Sequence, residues 1–455
     1  MEGRIKEHDR RMSYASQNIK LLLRALHHRN FRLFYCGQAI SLIGTWTQRV
    51  AIGWLVYRLT GSVFMLGLVG FLGDLPFFLV APFAGVMADR WNQQRILIVI
   101  QTLAMVQASI LAVLVLTGSV EVWHVIALSI FLGLVHAFDV PVRQSFLPAL
   151  LEKREDLGNA IALNSSMVHG ARLIGPSLAG ILIAATGEGI CFLLNAVSYV
   201  AVIAALIAMK ISPKEKPRGS VRVLQELKEG FSYVSHSVPI RSILLLLGVV
   251  SLVAMPYQVL MPVFAQDILL GGPRTFGFLV GCSGLGALAG AVYLASRKSV
   301  PGLERLLAIA AGVFGIGLIA FSFSRILWLS FFIMLFTGFG MMIQMASSNT
   351  VLQSIVDDNM RGRMMGFYAM AYRGMVPLGS LLAGVLAGKI GAPGTLLLGG
   401  VCCVSGAVLF ASKLPYLRKA IHPIYVKMGF LSDAGSGMQK PGIPKAIDVS
   451  LPSEE

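Results

Sequence analysis

Charged residues lie inside segments of this sequence that are otherwise apolar. Arg49 and Asp74 occupy two consecutive apolar segments, and counting from the segment ends places them at overlapping depths. A charge at the centre of a membrane-spanning helix costs about 2.5 kcal/mol or more, so each such residue needs a partner or a task. Two roles stay open for this pair. It fixes helix packing as a buried salt bridge, or Asp74 takes up and releases a proton under the opposing influences of burial and Arg49.

Two histidine pairs lie on later apolar segments. His136 and Asp139 are three residues apart, as are His169 and Arg172. On a helix this spacing puts both members of a pair on one face. A membrane histidine can relay protons near neutral pH, although a single one more often only makes hydrogen bonds. Both histidines are therefore candidates for proton coupling, together with the arginine–aspartate pair.

Polar and aromatic side chains also recur within the apolar segments. Because polar groups do not face lipid comfortably, some of them must line an internal cavity. The candidates for substrate contact are Gln38, Asn164, Asn195, Tyr257, Gln344, Tyr368, Tyr372 and Arg373.

The elements that position these residues are membrane-spanning helices. Of the 455 residues, 56% are hydrophobic and only 13% are charged, which is typical of a polytopic membrane protein. A span needs about 20 mostly apolar residues. Twelve segments are predicted to span: 33–57, 64–88, 96–117, 122–141, 159–185, 189–209, 239–264, 275–296, 303–323, 326–349, 364–388 and 392–414.

The basic residues orient these spans. With the N-terminus inside, 31 of the 38 Lys and Arg residues fall on the inner side and four fall in outer loops. The positive-inside rule therefore predicts that both termini are cytoplasmic. The net charge of +16 has the same explanation, so nucleic acid is not a predicted partner.

The links between spans divide the chain into five parts. A basic cytoplasmic arm (1–32) precedes a first six-helix bundle (33–209). A cytoplasmic linker (210–238), whose apolar residues fall at helical spacing, is predicted to form a short amphipathic helix at the membrane surface. A second six-helix bundle (239–414) precedes a cytoplasmic tail (415–455) that is predicted to be partly disordered.

The two bundles share a sequence repeat. "VRQS" (142–145) recurs as "VLQS" (351–354), and "RLIGPSLAG" (172–180) is matched by "RGMVPLGSLLAG" (373–384). The matches occupy equivalent spans that run in the same direction. Parallel repeats of six spans, related by an axis along the membrane normal, are the layout of one large transporter fold.

Several motifs resemble those of a known family. "GVMADRWNQQR" (85–95) is similar to the loop 2–3 motif of the major facilitator superfamily, and "GARLIGPSLAG" (170–180) to the span 5 motif of its drug exporters. "LVYRLTGSVFMLGLVG" (55–70) and "AFDVPVRQSFLP" (137–148) resemble the bacterial branch that includes enterobactin and macrolide exporters. The resemblance covers roughly residues 25–415. It implies an all-α membrane protein with two pseudo-symmetric six-helix bundles.

The loop motif implies a conformational gate on the inner side. Gly85 would let span 2 pack closely against another helix, and Asp89 would accept free N–H groups at a helix N-terminus. Arg90 and Arg95 are expected to pair with Asp139, at the inner end of span 4. Such contacts would hold the two halves together and release on switching.

The span 5 motif supplies the rest of the gate: Arg172, Gly175 and Pro176. For Arg172 the resemblance favours a conformational role over direct contact with substrate. For its repeat mate Arg373 the choice between gate and substrate contact stays open.

The resulting prediction is a secondary transporter of the bacterial inner membrane. It exports a small hydrophobic compound or a siderophore by alternating access, coupled to protons, as a monomer in the lipid bilayer. No cofactor, metal ion or enzymatic activity is expected, and no Gly-x-x-x-x-Gly-Lys-Ser/Thr loop for ATP is present. An uptake carrier or a lysophospholipid flippase on the same fold is the alternative. A receptor or scaffold without transport is a more remote one.

Overall fold

The chain folds almost entirely into helices in a computed structural model. The model describes residues 24–90, 92–211, 223–297, 301–357 and 360–427, without the side chains of 81–90, 154, 169 and 223–228. Within these residues, ten helical stretches are long and apolar enough to cross a membrane. The more polar helix Arg29–Thr60 adds one. Another is added because Gly391, with φ of 75°, divides the last stretch in two.

These twelve helices are numbered here as spans 1 to 12, with inner and outer ends as the basic residues orient them. Their bounds are Arg29–Thr60, Val63–Arg90, Gln93–Leu116, Val122–Phe146, Leu157–Thr186, Glu188–Ala208, Val238–Ile268, Gly272–Ser296, Leu303–Phe323, Leu327–Ile355, 361–390 and 392–427. The predicted fold class is confirmed, and the described residues contain no strand.

Span 12 continues beyond its predicted end at 414 because the extension is amphipathic. Leu417 and Ile421 are buried on one side. Arg418, at the edge of this buried face, pairs with Glu304 at 3.1 Å. Four Arg, Lys and His residues in this stretch lower its average hydropathy, so an average over a whole window does not detect the apolar face.

Each half of the molecule packs mainly within itself. Span 1 packs on spans 5 and 6, span 2 on span 4, and span 3 on spans 4 and 6, while span 10 packs on spans 8 and 9. The halves meet where span 2 lies against span 11 and where span 5 lies against span 8. The space between the halves is therefore bordered by spans 2, 5, 8 and 11.

A buried amide network joins the helices of the first half. Gln48 donates to Gln107 at 2.8 Å, and Asn195 donates to Gln48 at 2.8 Å. Gln107 donates in turn to the Leu128 carbonyl at 3.3 Å. Each amide is satisfied by the next, so the network fixes the register of spans 1, 3, 4 and 6. Asn195, a predicted cavity residue, is thus part of the packing of the first half.

Three helical segments have π-helical hydrogen bonding. One interrupts span 7 at Val250–Ala254, one forms the end of span 7 at Phe264–Ile268, and one interrupts span 11 at Met370–Gly374. Single π turns within α-helices occur frequently at functional sites. The segment in span 11 contains Arg373, one of the candidate site residues.

Between the halves, the linker forms the helix Val223–His236 on the inner side. Glu229 pairs with Arg363 at 2.7 Å, and Tyr233 donates to Asp357 at 3.2 Å. Both partners lie at the inner ends of spans 10 and 11, so this helix is attached to the second half. The 428–455 stretch of the tail lies outside the described residues.

Candidate substrate and proton site

The Arg49–Asp74 pair lies deep within the helix bundle. Arg49 Nη2 is 3.4 Å from Asp74 Oδ2, so the predicted pairing is confirmed. Arg49 lies 11 residues before the end of span 1 and Asp74 lies 11 residues after the start of span 2. At about 1.5 Å per residue both are some 16 Å below the outer ends. The side chains are 57% and 41% exposed. At this depth such exposure indicates an opening inside the protein, because charges facing lipid are costly.

One layer deeper, four side chains from four spans lie at equal depth. Trp46, Phe77, Arg172 and Met341 each lie 14 residues from the outer end of their helix. The Arg172 guanidinium carbon is 5.5 Å from the centre of the Trp46 ring, within cation–π range. Its Nη2 is 3.7 Å from the sulfur of Met341. Arg49 also lies over Trp46, at 5.6 Å, so the pair and this layer form one site.

Arg373 approaches the same site from the other half. Its guanidinium carbon is 5.1 Å from the centre of the Phe77 ring. The side chain is exposed, and its backbone lies in the π-helical segment of span 11. Phe77 is three residues after Asp74, on the same face of span 2. The sequence did not decide between a gate and a cavity position for Arg373, and the structure places it at the cavity.

His136 lies at the depth of this layer, 14 residues from the outer end of span 4, and Asp139 lies three residues further towards the inner side. His136 is half-buried and interacts electrostatically with both the Arg49–Asp74 pair and the Asp139–Arg143 pair. Asp139 is buried, accepts a hydrogen bond from Gln101 at 3.0 Å and forms an ion pair with Arg143. Ionisable groups thus follow one another from the cavity down span 4.

The expected pairing of Asp139 with Arg95 is wrong. Arg95 is exposed and forms no ion pair with a described residue, whereas Arg143 lies one helical turn from Asp139 on the same span. Adjacent turns bring (i, i+4) side chains together without any help from tertiary structure. Arg143 of "VRQS" lies four residues after Asp139, so this local pair was visible in the sequence.

The second half of the loop 2–3 motif, residues 92–95, positions span 3. The Asn92 side chain caps span 3 by accepting from the Arg95 amide at 3.1 Å. Gln94 donates to the carbonyls of Leu206 and Met209 at 2.6 and 3.2 Å, which ties span 3 to the end of span 6. The side chains of four predicted residues lie outside the described ones: Gly85, Asp89, Arg90 and His169. Their gate and relay roles stay predictions.

Gly175 and Pro176 form a close helix crossing. A Cβ on Gly175 would lie 2.5 Å from the Trp46 Cβ and 2.9 Å from the Ile43 carbonyl oxygen. Thr47 donates to the Gly175 carbonyl at 3.1 Å. Pro176 has no N–H for the carbonyl one turn before it, that of Arg172. The motif therefore presses span 5 against span 1 directly beside the arginine–tryptophan contact.

Six other residues were predicted to line the cavity, and four of them are buried. Tyr257, Gln344 and Tyr368 are buried in the second half, with Tyr257 bonded to Ser283 at 2.7 Å and Tyr368 to the Met345 carbonyl at 3.2 Å. Both amide atoms of Gln344 lack a hydrogen-bond partner among the described residues. Of the other three predicted cavity residues, Gln38 is buried, and Asn164 and Tyr372 are half-buried.

The halves are closed against each other on the outer side. Gly180 of span 5 and Gly277 of span 8 approach so closely that a Cβ on Gly180 would lie 2.7 Å from the Gly277 Cα. Gly67 and Gly384 make an equivalent crossing between spans 2 and 11, at 2.8 Å by the same measure. The contact is thus formed by backbone against backbone, which only glycine allows.

Side chains complete this outer seal. Trp54 stacks on Phe276 with ring centres 6.1 Å apart. Tyr57, one turn further out on span 1, donates a hydrogen bond to Asp267 of span 7. Both contacts cross from one half to the other above the Arg49–Asp74 pair, so they close the cavity towards the outside.

The sequence missed the aromatic part of the site. Trp46 is three residues before Arg49, and Phe77 is three residues after Asp74. An aromatic residue one turn from an intramembrane charge was the available signal. Aromatic residues are common in spans, however, so the signal was weak without the distances.

Twelve spans, two halves closed on the outer side and a charged cavity between them define a membrane transporter of the major facilitator fold. The chain belongs to the transmembrane secretion effector family, whose model matches residues 22–425. The predicted family and the multi-pass membrane location are thereby confirmed.

Relatives and solved structures agree with this assignment. The staphyloferrin A transporter of Staphylococcus aureus is 24% identical over 382 residues, covering 83% of this chain and 95% of the relative. Macrolide efflux protein A of Streptococcus pyogenes is 24% identical over 392 residues, covering 83% and 94%. A bacterial homologue of the human lysosomal transporter Spinster, solved in an inward-facing and unoccupied conformation, has the same fold. It superposes with a TM-score of 0.65 at 14% identity, over 88% of this chain and 98% of that one.

Proposed function

We propose that this chain exports a small organic molecule across the plasma membrane by alternating access, in exchange for protons. The observation that carries the proposal is the Arg49–Asp74 pair, 3.4 Å apart and open to the cavity. A carboxylate at this depth can be neutralised by a proton, and its arginine partner then becomes free to move. Protonation and conformation are linked in this way. Protonation of Asp74 removes its ion pair with Arg49, and a conformational change that separates the pair changes the affinity of Asp74 for a proton.

A route for the proton runs along span 4. His136 interacts with the charges above and below it, and Asp139 lies one turn further in. A proton that leaves Asp74 can pass to the imidazole and onward to the inner side, since an imidazole accepts at one nitrogen and donates at the other. Asp139 is paired with Arg143, so its role in this route is to hold a negative charge near the histidine.

The seal on the outer side supports alternating access. Glycine crossings, a stacked aromatic pair and one hydrogen bond close the outer half, while the cavity charges are exposed below them. The opposite state requires these crossings to separate. Rigid-body movement of one half against the other is the usual transition in transporters built from repeats.

The family and the names of its members favour export, and they offer two substrate classes. One relative is a staphyloferrin A transporter and another is a macrolide efflux protein. We propose that the chain works as a monomer, since one cavity between two halves of a single chain is sufficient for the cycle.

Proton flux in liposomes tests the function. The full chain is reconstituted with a pH-sensitive dye inside, and candidate compounds are added to the face that corresponds to the cytoplasm. We expect a compound of the right class to move protons in the wild type and not in Asp74→Asn. Asp357→Asn is the matched control, because that aspartate lies at the membrane surface, where it accepts a hydrogen bond from Tyr233. Proton movement that survives in Asp74→Asn would refute the proposed coupling site. Movement of a lysophospholipid, or movement only inwards, would instead favour the flippase or the uptake carrier.

A further inference from the structure

Two of the arginines in the cavity have no carboxylate partner among the described residues. The charged residues of the site are Arg49, Asp74, Arg172 and Arg373, and Asp74 neutralises Arg49. In the part of the chain that the structure describes, neither Arg172 nor Arg373 forms an ion pair. Two positive charges at mid-membrane depth are expensive to keep without a function.

The way in which these two arginines are held leaves their donors available. Arg172 lies over Trp46 at 5.5 Å, and Arg373 lies over Phe77 at 5.1 Å. A guanidinium has five N–H donors, and a ring face supports the cation without using up the donors at its edge. The thioether of Met341, 3.7 Å from Arg172, is only a weak acceptor. Most of the ten donors are therefore free to bind an acceptor that enters the cavity.

Both arginines also reach across the boundary between the halves. Arg172 belongs to the first half and contacts Met341 of the second, while Arg373 belongs to the second half and contacts Phe77 of the first. They are repeat mates in the sequence. A ligand that bridges them contacts both halves at once, and its affinity must then differ between the two states of the transporter.

We propose that the cavity binds an organic anion, whose negative groups are held by Arg172 and Arg373 and whose aromatic or apolar body packs on Trp46 and Phe77. This inference rests on the proposed transport function and names its substrate class. Planar bidentate pairing with carboxylates or comparable oxygen anions is what arginine does best. A hydrophobic cation is disfavoured, because the uncompensated charge of the site repels it.

Binding of matched compounds to the purified full chain tests this proposal. Phthalate and its dimethyl ester have the same aromatic body, but only phthalate is a dianion, and tetraphenylphosphonium is a hydrophobic cation. Titration calorimetry is expected to give at least about tenfold tighter binding of phthalate than of either other compound. Citrate serves as a second, non-aromatic anion.

Variants assign the binding to the two arginines. Arg172→Gln and Arg373→Gln should each weaken phthalate binding by about tenfold or more. The lysine variants should bind with intermediate affinity, since they keep the charge but lose the planar fork. Arg274→Gln, an exposed outer arginine, is the control and should bind as the wild type does.

Three results would overturn the anion site. One is equal or tighter binding of the ester or the cation. Another is wild-type affinity in the Arg172→Gln/Arg373→Gln double variant, and the third is no binding of phthalate or citrate to the wild type. Failure of the transport function looks different, because the anion then binds through both arginines but moves no protons in liposomes.

Discussion

Gly180→Ala should open the outer side of the transporter. The added Cβ would lie 2.7 Å from the Cα of Gly277, and its next neighbours, at 3.0 and 3.1 Å, are also backbone atoms. Backbone of a packed helix cannot rotate away as a side chain can. The crossing of spans 5 and 8 must therefore separate by several tenths of an ångström or more.

The size of the effect follows from the cost of overpacking. Extra methyl groups in a tightly packed core cost about 1–3 kcal/mol. Here the cost falls only on the state in which the crossing is closed, so it changes the ratio of outward-closed to outward-open molecules by about 5- to 150-fold. The total stability of each half should change little, since neither half is packed through this contact.

Spin-label distances across the outer surface measure this ratio. Labels at Ser119→Cys and Arg274→Cys, in a background without the five native cysteines, report the separation of the two halves. Gly170→Ala is the control, because it lies in the same span and its Cβ would have nothing within 4 Å. The intrinsic helix preference of alanine is the same at both positions and cancels. An unchanged distance distribution in Gly180→Ala, or an equal change in both variants, would refute the reasoning.

Three further substitutions test the interior. Asp139→Asn leaves the Arg143 cation without its partner, at a site where the aspartate and arginine side chains are only 7% and 19% exposed, respectively. This substitution should lower the free energy of unfolding by about 3 kcal/mol. An unchanged thermal midpoint would contradict a buried ion pair. Gln48→Leu removes the acceptor of the Asn195 amide and should lower the free energy of unfolding by about 1–3 kcal/mol in the same assay. An unchanged free energy of unfolding would mean that the network is solvated. Arg363→Ala breaks the ion pair with Glu229, in which the arginine and glutamate side chains are 28% and 47% exposed. Because the pair is partly exposed, the free energy of unfolding should fall by less than about 1 kcal/mol. Complete loss of amide protection in Val223–His236 would instead show that this pair alone holds the helix.

Much of the fold was predictable because the membrane makes sequence patterns simple. Backbone groups in lipid must be satisfied within helices, so apolar length alone locates most spans. The prediction was inaccurate where this rule does not apply. The end of span 12 is amphipathic, with Ile421 buried and Arg418 paired to Glu304, and only tertiary contacts reveal which side of it is covered.

The site was only partly predictable. Depth counting found the Arg49–Asp74 pair, since both residues lie equally far from the outer ends of neighbouring spans. Helix rotation is not encoded so simply, and the sequence therefore assigned Asn195 to the cavity although it faces Gln48 in the interior. Trp46 and Phe77 were missed for the same reason. Their importance depends on which arginine each ring meets, and that is set by packing between helices far apart in the sequence.

Proton flux in liposomes, compared between wild type and Asp74→Asn, is the most direct test of proton-coupled export. Phthalate and a macrolide would be added separately to the face that corresponds to the cytoplasm, with Asp357→Asn as control. We predict that phthalate moves protons in the wild type and the control, and that Asp74→Asn abolishes this movement while still binding phthalate. Equal proton flux in Asp74→Asn and wild type, or transport of phthalate without any proton movement, would contradict it.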